Sequence, residues 1–106
     1  MNILDKIIID KKSEVELKKK VVSVNQLEAT DLFNSRTKSL SKVLANSNIG
    51  IITEHKRRSP SKSIINFNHS VEMVTLGYQN AGACGISVLT DGKYFGGSLD
   101  DLLLTK

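Results

Sequence analysis

Apolar side chains return at helical spacing through the first half of the chain, and near residue 49 the period changes. Leu4, Ile7, Ile8 and Val15 recur on a polar background, which predicts a helix over residues 3–20. Ser23 with Gln26 three positions on has the form of a capping box, so a short helix or turn follows through Leu32. In SLSKVLANS, Ser39 or Ser41 is placed to cap another short helix whose Leu40, Val43 and Leu44 share a face. Residues 1–48 carry most of the lysines and arginines and no glycine or proline. A lysine-rich helical segment of this kind does not build a core alone.

From residue 49 the pattern is that of strands. Ile49, Gly50, Ile51 and Ile52 form a continuous apolar run of the type buried on both faces in a parallel sheet. Asn68 stands where an N-cap belongs, Val71, Val74 and Tyr78 follow at helical spacing, and Gly82 supplies a C-terminal stop. A second apolar run spans residues 83–89, and Ser98 with Asp101 opens a further helix, LDDLLLT. The order strand, helix, strand, helix is that of βαβ units with parallel strands. Two such strands leave both sheet edges open and each layer's apolar side uncovered, so the pattern reads as the start of a larger α/β domain.

Composition narrows the class. The 106 residues are 40 % hydrophobic and 25 % charged, ordinary values for a globular protein. The net charge of +4 raises the case for an anionic partner, with a phosphorylated small molecule fitting as well as RNA. The lone Cys84 cannot form an internal disulfide and reads as a small core residue. No apolar run approaches the ~20 residues of a membrane span, and the N-terminus lacks the features of a secretory signal. A cytoplasmic location and no membrane partner are expected.

Chemistry concentrates in IITEHKRRSPSKS, residues 51–63, where an apolar run ends in a carboxylate and a basic tract surrounds the only proline. Strand alternation sends Glu54 and Lys56 to one face and His55 to the other. The pair reads as a structural ion pair or as the edge of a site. Lys56, Arg57, Arg58 and Lys62 read as a solvated loop or a nucleic-acid contact, but none of the five aromatic residues interleaves with them, so stacking on single-stranded nucleic acid is poorly supported. His55 and His69 offer no metal-ligand spacing, and no cofactor is implied. FGGS reads as a tight turn or a weak phosphate cradle.

Three motifs in order, IGIITEHKRRSPSKS, the helix ending YQNAGA, and ISVLTDGKYFGGSLDDL, resemble the N-terminal part of indole-3-glycerol-phosphate synthase. The similarity extends to ILDKII and SLSKVL and so covers nearly the whole chain. The resemblance implies an α/β fold: an N-terminal helical extension, residues 1–48, followed by the first two βα units of an incomplete (β/α)8 TIM barrel, residues 49–106. It implies a lyase of tryptophan biosynthesis whose substrate is a phosphorylated, anthranilate-derived small molecule. Catalytic roles fall on Glu54 as a carboxylate and on Lys56 as a cation for the substrate's acidic groups. Substrate contacts fall on Ser59 and Pro60 on the anthranilate side and on Phe95 against the ring. Two positions depart from the family pattern: Ser63 stands where glycine is usual, implying a strained loop, and His55 stands where an apolar residue is usual, implying a buried imidazole in need of a partner. The family's general-acid lysine, on a third strand, and its phosphate-binding loops have no counterpart in these residues, so the 106-residue chain alone is expected to be inactive. A self-associating, non-enzymatic α/β module and a basic nucleic-acid binder are the other readings.

Overall fold

The computed structural model describes residues 1–106 and divides into two compact units, residues 1–38 and residues 39–106.

The first unit is helical. Helix α1 (Ile3–Val21) starts at Asn2, whose side chain accepts from the Asp5 N–H, and ends on three lysines that oppose the negative end of its dipole. Glu14 receives both Lys11, at 2.7 Å, and Lys18, at 2.9 Å, and this pair of cations holds its carboxyl below the usual range. The predicted capping box forms: Ser23 and Gln26 bond reciprocally at the start of α2 (Val24–Glu28). Thr30 caps α3 (Asp31–Asn34). No residue of these helices is buried.

The second unit opens with α4 (Leu40–Ala45), capped by Ser39 through the Lys42 N–H. Strand β1 (Ile52–His55) pairs in parallel with β2 (Gly85–Val88), in the register Ile52 to Gly85 through His55 to Val88. The crossover is α5 (Val71–Asn80). After β2 come α6 (Gly92–Phe95) and α7 (Leu99–Thr105), the latter on the predicted Ser98–Asp101 capping box. The fold is therefore α/β, with a two-stranded parallel sheet open at both edges. Close packing joins α4 to the strand starts. A Cβ on Gly85 would meet Leu40 Cδ1 at 2.8 Å, and one on Gly50 would meet Leu44 Cδ2 at 3.1 Å.

Four expectations change. The strand lies about three residues later than the apolar run, because the ladder begins only where the Ile51 carbonyl accepts from Cys84 N–H and continues to His55 O and Leu89 N–H. Ile49, Ile51 and Ile52 are exposed, and since neighbouring side chains alternate between faces, both faces are open at the start of the strand. Ser70, not Asn68, caps α5: Asn66 Oδ1 gathers the Asn68 and His69 N–H groups in a local turn, which delivers the chain to Ser70. Ser63 sits at an ordinary negative φ, as every residue except Gly82 and Gly96 does, so its side chain strains nothing. The Gly82 stop forms as a Schellman motif, with Gly82 N–H on Gln79 O and Ala83 N–H on Tyr78 O.

Candidate functional site

The site grows from alternation along β1. Glu54 and Lys56 leave the C-terminal end of the strand on one face, and Lys56 Nζ lies 3.3 Å from Glu54 Oε1. Ser87, paired with Glu54 in the strand register, donates its hydroxyl to Glu54 Oε2 at 3.2 Å. Tyr78 on α5 donates its phenol to the Glu54 carbonyl. The Lys56 and Glu54 side chains keep 36 % and 46 % of their surface, so their attraction is worth only ~0.2–1 kcal/mol. A pair this exposed adds little to stability but leaves a carboxylate and an ammonium side by side and open to a ligand.

The opposite face of β1 is buried. His55 is 3 % exposed and forms the interior of this unit with Val71, Thr75 and Asp101. Its Nε2 has no hydrogen-bond partner, and neither has Thr53 Oγ1 two residues back on the same side. Burial, assisted by the Arg57 charge, pushes the imidazole below its ordinary pKa, so it is held neutral. The partner expected for a buried imidazole is thus missing at Nε2, and the neutral ring is the form that leaves no unpaired charge there.

Arg57 begins the loop and turns inward. Its guanidinium grips Asp101 with two bonds, Nη1 to Oδ2 at 2.5 Å and Nη2 to Oδ1 at 2.8 Å, and Nη1 also reaches the Gly96 carbonyl at 3.2 Å. The guanidinium holds the Asp101 carboxyl below its usual range, and the carboxylate raises the Arg57 pKa in return. Arg58 donates to the Gly92 carbonyl at 2.6 Å and lies against Gly96, where a Cβ would come within 3.0 Å of its Nε. Two members of the basic run are thus engaged within the chain, Arg57 part-buried and Arg58 at the surface, which corrects the reading of Arg57 as part of a solvated loop.

Ser59 and Lys62 exchange backbone hydrogen bonds at 2.8 and 3.1 Å, with Pro60 and Ser61 at the tip of the turn. Phe95 ends α6, half-buried, next to the left-handed Gly96. Glu54, Lys56 and Ser87 converge directly. Ser59, Pro60 and Phe95 stand in the two flanking loops, which Arg57 and Arg58 tie together. Ser87 and the pairing of Arg57 with Asp101 escaped the sequence reading. A polar residue inside ISVL was a signal for Ser87, whereas Arg57 and Asp101 lie 44 positions apart and carry no local one.

A family model described as indole-3-glycerol phosphate synthase matches residues 4–106, all of the two strands and the loops just described. The chain belongs to the indole-3-glycerol phosphate synthase family. It is 44 % identical over 101 residues to the indole-3-glycerol phosphate synthase of Bacteroides thetaiotaomicron, covering 95 % of this chain and 39 % of that protein. The enzyme of the same name from Exiguobacterium sibiricum is 42 % identical over 102 residues, covering 96 % of the chain and 38 % of the relative. For Syntrophobacter fumaroxidans the identity is 36 % over 102 residues, with 93 % and 38 % covered. The chain thus spans about two fifths of the length of the curated relatives it matches. Within that family its helices and paired strands correspond to the first part of an α/β barrel, and none of its helices is long and apolar enough to cross a membrane.

Proposed function

We propose that residues 49–106 supply one wall of an indole-3-glycerol-phosphate synthase site, with residues 1–48 as its helical extension. The reaction is closure of the indole ring of 1-(2-carboxyphenylamino)-1-deoxyribulose 5-phosphate with loss of carbon dioxide and water, in a cytoplasmic biosynthetic setting. Glu54 is the catalytic carboxylate that handles a proton of the ring-closing and dehydrating steps, and Lys56 neutralises an acidic group of the substrate. Ser59 and Pro60 bound the anthranilate side, and Phe95 packs against the ring. The observation that carries this reading is the open Glu54–Lys56 pair at the C-terminal end of β1, where barrel enzymes place their chemistry.

The 106 residues alone lack the general-acid lysine that the family resemblance assigns to a third strand, so we expect no turnover from them in isolation. The test is therefore a chimera, residues 1–106 joined in frame to the remaining part of the Bacteroides thetaiotaomicron relative. Formation of indoleglycerol phosphate by the chimera, and none by the chain alone, is the expected result. A folded chimera without turnover, or turnover by the chain alone, would contradict it.

A second reading, self-association through the sheet edges, is favoured by the two open edges and the exposed Ile51 and Ile52. The nucleic-acid reading gains nothing, since Arg57 and Arg58 bind within the molecule.

A further inference from the structure

Behind the Glu54–Lys56 pair lies a cluster that the proposed chemistry does not use. His55 lies between the two site residues in sequence and points away from them into the interior. Around it stand Arg57 from its own strand's loop and Asp101 from the first turn of α7. On α5, which packs against β1, Val71 and Thr75 are buried, and the charge of Glu72 acts on Arg57. Its partner in the strand register, Val88, is apolar.

Asp101 is the junction. It closes the α7 capping box by accepting the Ser98 N–H at 3.1 Å while gripping Arg57 with both oxygens. Arg57 in turn binds the Gly96 carbonyl, and its own carbonyl accepts the N–H groups of Ile65, at 2.8 Å, and Asn66, at 3.1 Å. This part-buried ion pair therefore ties Arg57, whose backbone receives the return of the first loop, to the turn beside Phe95 and the start of α7.

We propose that Asp101 and Arg57 are positioning residues that lock the two loops of the candidate site together, and that protonation of His55 releases this lock. The neutral imidazole is compatible with the lock. A protonated one would bring a second cation beside Arg57, place an N–H without an acceptor at Nε2, and compete for Asp101. The lock stands on the geometry of this unit; its use in catalysis rests on the function proposed above. A test of loop order without turnover keeps the two separable.

The experiment is hydrogen exchange by NMR on the full chain between pH 8 and 5. Protection factors, which remove the intrinsic pH dependence of exchange, are read at Ile65, Asn66, Gly96 and Gly97, and ring proton shifts follow His55 and His69. In the parent, protection at these four amides is expected to fall in step with the His55 titration, by about tenfold for every pH unit separating its locked and released pKa values. His55→Phe should abolish that fall, and Asp101→Asn should lower protection at every pH. The proposal is overturned if protection stays constant while His55 titrates, if it falls equally at the Val74 amide of α5, which reports unfolding of the unit as a whole, or if His55→Phe keeps the parent's pH dependence. Should Asp101→Asn fail to fold, the His55→Phe comparison decides alone.

Discussion

Arg57 and Asp101 show how far two ion pairs in one small unit can differ. The Lys56–Glu54 contact is half exposed and weak, whereas Arg57 and Asp101 retain 22 % and 7 % of their side-chain surface and meet in a bidentate grip. Removing one partner of such a pair strands a buried charge, at a cost of about 3–5 kcal/mol. Arg57→Met is therefore expected to lower the urea unfolding midpoint by that equivalent, and Arg57→Met with Asp101→Leu to recover much of it; a loss under about 1 kcal/mol from the single change would show the pair to be superficial. Acid should act in two windows. His55 is depressed from 6.5, so the stability of its neutral form is complete above that value and is lost as pH falls from 6.5 through its folded pKa. Asp101 is depressed from 3.8, so its contribution persists to lower pH and is lost only below that value. Thermal melts across pH should show both declines, with only the lower one left in His55→Phe. At this scale the sequence revealed the facing of Glu54 and Lys56, because strand alternation is local. It concealed Arg57, whose role depends on a helix turn 44 residues away.

Elements were most legible where a cap wrote them. Ser23 with Gln26, Ser98 with Asp101, and Gly82 each satisfy orphan backbone groups through neighbours a few positions away, and each formed as read. Strand β1 was displaced because apolar residues such as Ile49 and Ile51 report where a larger sheet would bury the chain, not where the ladder starts. Helix α6 went unread: four residues between Asp91 and Gly96 are too short for any periodicity. Two glycines test this description of the elements. A Cβ on Gly97 would lie 1.9 Å from Leu89 O and 3.0 Å from Thr90 Cα, backbone atoms that cannot give way, so Gly97→Ala should markedly lower the melting temperature. Gly77 lies exposed inside α5 with nothing near its Cβ position, so Gly77→Ala should stabilise by about 0.5–1 kcal/mol. Equal effects of the two changes would show that the packing of the second loop is misdescribed.

On the scale of the whole molecule, apolar surface is the dominant feature. Val71 is the sole fully buried apolar side chain, while Ile49, Ile51, Ile52, Leu102 and Leu103 are all exposed. Sizing over a range of concentrations should therefore show the isolated chain associating, and a monodisperse monomer at high concentration would remove the second reading. The alternation of strand and helix made the α/β class legible, but neither the covering of the sheet nor the closing of a site can be read from two βα units. The central claim is that Glu54 serves the chemistry and Lys56 the binding. Steady-state kinetics of the chimera test it most directly: Glu54→Gln should lower kcat by about 10²–10⁴-fold with KM little changed. Lys56→Met should instead raise KM by roughly ten- to a hundredfold, the worth of one charge-assisted hydrogen bond. A Glu54→Gln chimera with the parent's kcat would contradict the account.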